Sequence, residues 1–224
     1  MADEVDDQWP AKVIVCGWYT RDYAHWLQAL IGDLDGLGID HDFVEVPKPE
    51  GWSWERVTRL KAEQVRLAME RHPYRTIVFL DVDCRVLRPL DGLADIRGDV
   101  AFYMHSRFRR HGGTKFRVRS GTIVLRPTVG ASLFVETWAR CCQSAPWGEV
   151  DQSALAVAIG HSPGVCIETL DIRYCAVESD QVTSPVILHD SASRHIRKVP
   201  GWQKWLPGYH GCQNPRKDLE RAPR

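Results

Sequence analysis

The chain has 224 residues, 44% of them hydrophobic, and its 29 basic and 29 acidic side chains cancel to a formal net charge of zero. That length and apolar share suit one large packed domain or two small ones and exclude a chain disordered throughout. The charge balance excludes a global field for nucleic acid or anionic membrane, so any electrostatic recognition is local. The start, "MADEVDDQWP", has no basic and apolar targeting segment, and nowhere do enough apolar residues run together to span a bilayer. Seven cysteines, odd in number and without a CxxC pair, read as reduced thiols rather than a zinc site. The expectation is a cytoplasmic protein.

In chain order, "VIVC" at 13–16 is a buried strand that ends on Gly17. "DYAHWLQALIGDLDGLG" places Trp26, Leu27, Leu30, Ile31, Leu34 and Leu37 at helical spacing before Gly36 and Gly38 stop it. "IDHDFVEVP" resumes strand character, which completes a βαβ opening and favours parallel pairing. "ERVTRLKAEQVRLAMERH" predicts one helix with Val57, Leu60, Gln64, Leu67 and Ala68 on its buried face, leading into the strand "TIVFL". "DVAFYM" and "GTIVLRP" are further strands, and the segment from His105 to Val118 between them is mostly polar. Helices follow in "ASLFVETWARCCQSA" and "DQSALAVAIGH", then late strands in "VCIETL" and "SPVILHD". Alternating strands and helices without a Gly/Ser linker predict a single α/β domain. Ligands of such sheets sit at the carboxyl ends of the strands.

Asp81 and Asp83 fall at such an end, in "TIVFLDVDCRVLRPL". In an extended segment residues i and i+2 project to one side, so two carboxylates there can converge on one hard cation. Held that close they repel unless a cation or a proton intervenes. Three readings follow. The pair is a solvated strand end, a phosphatase pair with Asp81 as nucleophile, or a metal site for a nucleoside diphosphate. Haloacid-dehalogenase-type phosphatases keep a small residue where this chain has Arg85, and their motif opens the chain, whereas a βαβ unit precedes it here. That unit is what a nucleotide site requires.

In these pieces the chain resembles the GT-A glycosyltransferases, in particular the glycogenin-like and related nucleotide-diphospho-sugar transferases. "GWYTRDY" is similar to their uracil-side loop, Lys61 to the lysine of the helix leading into the metal motif, and "FLDVDCRVLRPLDGL" to that motif. "SGTIVLRPT", "EVDQSALAVAI" and "VILHD" resemble their Ser/Thr-Gly strand, Asp-Gln helix start and late histidine strand, with Arg119 where the family has Asn. The resemblance implies a GT-A-like (Rossmann-like) three-layer α/β sandwich around a mixed, mostly parallel sheet. It further implies transfer of a sugar from a nucleoside-diphosphate sugar, a UDP-sugar, to an acceptor, with Mn²⁺ or Mg²⁺ as cofactor. Asp81, Asp83 and His189 would be the metal ligands. Tyr19 would stack on the base, Lys61, Asp81 and Lys198 would serve the donor, and Asp151 and Gln152 would be the catalytic pair facing the sugar, Asp151 as general base in inversion or as nucleophile or stabiliser in retention. The phosphatase and a non-catalytic nucleotide-binding module are the alternatives.

Asp151 also suits a plain helix N-cap, and His189 a plain hydrogen-bonded histidine. Residues 107–119 carry six basic side chains and no acid around Gly112 and Gly113. They read as a solvated loop, or as a lid over the diphosphate or an acidic acceptor. Their two phenylalanines are too few to interleave with nucleic-acid bases. The expected division is a tail at 1–10, a transferase domain at 11–210, and a charged tail at 211–224. Within the domain, 11–83 would hold the nucleotide and 84–210 the metal and acceptor.

Overall fold

The computed structural model describes residues 13–108 and 114–190, all within one compact unit that ends at Asp190. The expected tails, and residues 191–210 of the expected domain, lie outside the described residues. Strand β1 (Ile14–Tyr19), helix α1 (Ala24–Gly36) and strand β2 (His41–Glu45) form the βαβ opening, with β1 and β2 parallel. Helix α1 turns Leu27, Leu30 and Leu34 inward, the three- and four-residue steps that share one helical face. It closes at Gly38, whose φ of 65° is a left-handed value that costs glycine nothing.

Where the sequence predicts one helix there are two, α2 (Trp54–Thr58) and α3 (Lys61–Arg71). At the break, Arg59 donates to the carbonyl of Ala145 at 2.7 Å. The break re-phases the buried stripe: α3 buries Lys61, Ala62, Val65 and Ala68, and not the face through Leu60, Gln64 and Leu67. A long-range contact and a buried ion cluster outweigh local helix propensity here.

Strand β3 (Ile77–Leu80) is buried along its whole length, as its unbroken apolar run predicts. After it come β4 (Cys84–Val86), β5 (Val100–Phe108), β6 (Thr114–Leu125), helix α4 (Val129–Ser144) and helix α5 (Asp151–Gly160). Strands β7 (Ile167–Thr169), β8 (Ala176–Val177) and β9 (Ile187–His189) complete the described chain. The main sheet has the order β2-β1-β3-β6-β5-β7, and β6 alone runs against the other five strands. The sheet is therefore mixed and mostly parallel. The late strand expected in "SPVILHD" is β9, but it joins a second sheet, β4-β9-β8, that the sequence does not predict, since β4 and β8 are only three and two residues long and leave no period to read.

Two buried clusters lie on the two faces of the main sheet. On one, Phe79, Phe102 and Ile123 meet Val65 of α3, Phe134 and Trp138 of α4, and Leu155 of α5. On the other, Val15, Val78, Leu80 and Val124 meet Leu30 and Leu34 of α1 with Cys84, Val86 and Ile187 of the small sheet. Alternate residues of each strand feed opposite clusters, which is the pleat period made visible. The result is three layers. Among the described residues no helix is long and apolar enough to cross a membrane.

The basic segment differs from the expected loop. Strands β5 and β6 extend as a paired ladder to Phe108 and Thr114, so most of 107–119 is hairpin strand. The alternation "KFRVRS" carries that pairing, with Val118 buried and Phe116 exposed.

Candidate metal and donor site

The small sheet brings the acidic pair to a histidine. Strand β4 begins one residue after Asp83 and pairs antiparallel with β9, setting Cys84 opposite His189. The amide of Asp190 donates to the carbonyl of Asp83 at 2.7 Å and extends the ladder by one bond. Side-chain donor atoms of Asp81, Asp83 and His189 then all lie within 4.8 Å of one another, at the carboxyl end of β3.

Strand β6 shapes the floor. Its register with β5 passes from Phe102↔Ile123 to Met104↔Val118, so Arg119, Ser120, Gly121 and Thr122 stand against the single β5 residue Tyr103, while Thr122 stays paired with Leu80 of β3. This wide bulge releases polar groups to the site, a placement bulges often have. The Gly121 carbonyl accepts from the Asp81 amide at 3.0 Å, and the Ser120 carbonyl accepts from Lys61 Nζ at 3.3 Å. Thr122 Oγ1 lies 2.8 Å from His189 Nε2. A Cβ added at Gly121 would stand 2.7 Å from His189 Cε1 and 2.9 Å from Nδ1, so glycine alone leaves room for the ring. Gly121→Ala is expected to displace His189 and to cost about 1–3 kcal/mol of stability, by the usual penalty for overpacking. Denaturant unfolding checks the cost, and a substitution without effect would mean the ring is not held there.

Lys61 is buried and links two carboxylates, with Nζ 2.7 Å from Asp81 Oδ1 and 2.9 Å from Asp151 Oδ2. Burial pulls its ammonium pKa down, but Asp151 and Asp81 outweigh that and hold it above its ordinary value. Burial pushes the Asp81 carboxyl up, against the pull of Lys61 and with Asp151 adding to the rise. With 33% of its side chain exposed, solvent moderates that rise. His189 is lowered to about 3 by burial, with Lys61 and Arg119 adding to the effect, so its imidazole is neutral at physiological pH. Two carboxylates and a neutral imidazole form a donor set that suits Mn²⁺ or Mg²⁺, with Mn²⁺ better served by the nitrogen.

Asp151 is the first residue of α5, not its cap. Val150 holds the cap position, no side chain caps the helix, and Asp151 turns inward to Lys61. Gln152 beside it is exposed. Tyr19 ends β1 two residues past Gly17, which is level with Leu80, and its hydroxyl donates to Glu45 at 3.5 Å. Beside that pair a concavity is lined by Arg21, Asp22, Glu45, Pro47 and Lys48. Another groove, lined in part by Ile77, Leu125 and Arg126, opens at the amino end of β3, away from Asp81 and Asp83. Arg119 makes a two-pronged ion pair with Asp180 and donates to the Cys175 carbonyl at 2.7 Å, so it is committed to the fold. Arg85 likewise pairs with Asp33 of α1 at 2.6 and 2.7 Å. Lys198 lies outside the described residues. Ser120, Gly121 and Thr122 lie in the segment that resembles the Ser/Thr-Gly strand, but their place beneath His189 depends on the bulge, which leaves no periodic mark on a sequence.

No protein-family model and no curated protein sequence matches the chain. Its fold does match solved structures. A glycosyltransferase involved in glycosylation of the major capsid of PBCV-1 superposes with a TM-score of 0.61 at 14% identity, over 84% of this chain and 99% of that one. The glycosyltransferase GlyE of Streptococcus pneumoniae TIGR4 gives 0.57 at 13% identity, over 80% of this chain and 54% of its own. The galactosyltransferase LgtC, solved with donor and acceptor sugar analogues, gives 0.51 at 12% identity, over 80% and 87%. The chain has the GT-A glycosyltransferase fold.

Proposed function

We propose that this chain transfers a sugar from a nucleoside-diphosphate sugar, a UDP-sugar, to an acceptor hydroxyl, with Mn²⁺ or Mg²⁺ held by Asp81, Asp83 and His189. The observation that carries this reading is the meeting of two carboxylates and a neutral imidazole at the carboxyl edge of a GT-A fold. Asp81, Asp83 and His189 would hold a divalent ion there, whose positive charge would offset the charge left on the departing nucleotide. Lys61 fixes Asp81 by its Oδ1, which leaves Oδ2 as the oxygen for the cation. Tyr19 and the adjoining concavity take the base and ribose. Gln152 is the exposed polar group of the Asp151–Gln152 pair and meets the sugar, while Asp151 holds Lys61 in register. The basic hairpin around Arg117 supports an acidic acceptor or the donor diphosphate. The described cysteines are all free thiols, which supports a reducing, cytoplasmic compartment.

The phosphatase alternative loses support because the solved structures of like fold named above are glycosyltransferases and Arg85 is engaged by α1. A thermal-shift panel of nucleotides and nucleotide sugars, with and without Mn²⁺, tests the reading. At one hundred times Kd, a nucleotide bound with Mn²⁺ stabilises by about 2.7 kcal/mol, which for a chain of this size is a rise of roughly 5–10 °C. UDP and UDP-sugars should give that rise only when Mn²⁺ is present, followed by slow release of UDP from the sugar donor. A rise without any turnover would instead identify a non-catalytic binding module. An acyl phosphate trapped on Asp81 from a phosphomonoester would identify the phosphatase.

A further inference from the structure

We propose a second metal site, for Zn²⁺, built from Cys16, Asp42 and His72 on the α3 face of the main sheet. It stands apart from the reading of Asp81, Asp83 and His189. Strand β1 supplies Cys16 and β2 supplies Asp42, its partner in the parallel register, so the two side chains leave the same face of the sheet. That face is the one α3 covers, and His72 is the residue that closes α3. The sulfur of Cys16, a carboxylate oxygen of Asp42 and a ring nitrogen of His72 all lie within 4.8 Å of one another.

A thiol that only fills a core sits among apolar groups. Cys16 is wholly buried, yet it stands beside a carboxylate and an imidazole that are both partly open to solvent. A thiolate, an imidazole and a carboxylate are donors that Zn²⁺ takes, and three from the protein leave a fourth position for water. Around tetrahedral zinc such donors stand about 3.3–3.6 Å apart. His72 Nε2 and Asp42 Oδ2, 2.8 Å apart, would open by roughly half an ångström, and the sulfur would close by no more than about 1.5 Å. Side-chain torsions cover shifts of that size.

Binding expels one proton, that of the thiol, and the two charges of the ion are then matched by thiolate and carboxylate. Arg71 donates to Asp42 Oδ2 at 2.7 Å and would be the outer partner that orients the ligating carboxylate. Arg75 is engaged by Asp40 and the Val13 carbonyl. His72 also lines the groove at the amino end of β3, which gives the ion a way in. A zinc ion there ties β1 and β2 to the end of α3, one helix length of about 16 Å from Lys61 at its start. The lack of a CxxC pair does not exclude such a site, because its ligands come from three elements distant in sequence.

Cobalt titration of the full chain, freed of metal by dialysis against chelator, tests the proposal. A thiolate on Co²⁺ adds a near-ultraviolet charge-transfer band that oxygen and nitrogen ligands do not. The wild-type protein should develop that band, and Zn²⁺ should erase it. Cys16→Ala should abolish it. His72→Gln, at a partly exposed position that the fold tolerates, should weaken Zn²⁺ binding by more than about 100-fold. Zn²⁺ at one hundred times Kd should raise the wild-type unfolding midpoint by roughly 5–10 °C and leave that of His72→Gln where it was. The band should survive Asp83→Asn, which separates this site from the one that serves the donor. A wild-type chain without the thiolate band would overturn the proposal, as would a folded His72→Gln protein with unchanged Zn²⁺ affinity. A band that persists in Cys16→Ala would also overturn it, since another thiol would then be the ligand.

Discussion

Replacing Asp83 with asparagine should abolish sugar transfer and its dependence on Mn²⁺ while the fold persists. Asn keeps the shape of the side chain and removes its charge, so the cation loses a ligand that carried a full unit of its compensation. An outer partner of a metal ligand is worth about 10–100-fold, and a direct carboxylate ligand should be worth more than that. Asp83 lies only partly buried just before β4, and the bond that extends the β4–β9 ladder uses its backbone carbonyl, which the substitution keeps. Initial rates against Mn²⁺ concentration, with an unfolding curve on the same sample, separate the two effects. Unchanged turnover with unchanged Mn²⁺ activation would remove Asp83 from the site, and a collapse in stability would assign it to the fold.

Lys61→Met should be the most damaging single change to stability among those considered. The lysine is buried and neutralises Asp81 at 2.7 Å and Asp151 at 2.9 Å. Met fills much of the same volume but leaves two facing carboxylates without their cation. Breaking a buried ion pair by removing one partner costs about 3–5 kcal/mol. The deficit should depend on pH in a definite direction. Without Lys61 the folded-state pKa of Asp81 rises further, because burial and the repulsion of Asp151 remain while the compensating charge is gone. A raised folded pKa gives stability that is present below the unfolded value and lost as pH rises through the folded one. The variant should therefore approach wild type as pH falls through the carboxylate range and fall furthest behind at neutral pH. Guanidinium unfolding at several pH values measures this. A deficit that stays flat from neutral to acid pH would show that Lys61 matters through packing alone. Bound Mn²⁺ should recover part of the loss, since a cation on Asp81 and Asp83 supplies some of the missing charge.

Much of the fold was legible from pattern. An unbroken apolar run became a fully buried central strand, and three- and four-residue steps through Leu27, Leu30 and Leu34 became a helix face. Strand–helix–strand order became parallel pairing. Pattern failed where a contact distant in sequence outweighs a local preference. The predicted helix over residues 55–72 divides at Arg59, which bonds a carbonyl 86 residues away, and its face rotates to bury Lys61. The basic segment became a hairpin ladder because β5 and β6 had each other to pair with.

Sequence by itself settled that this chain builds an α/β sheet around "TIVFL" and sets Asp81 and Asp83 at its carboxyl end, because hydrophobic period and chain order are local properties. The resemblance to the GT-A family made His189, Lys61 and Asp151 candidates. Only the tertiary structure decided which of them meet. Three residues of β4 and three of β9 bring a histidine more than one hundred residues distant to Asp83, and the bulge at 119–122 gives that histidine its floor. Lys61 likewise shows its role only once α3 and α5 pack on one face of the sheet, where low dielectric and two carboxylates make an ammonium obligatory. Short strands, bulges and buried ion clusters are stabilised by partners far along the chain, so no window of sequence contains them.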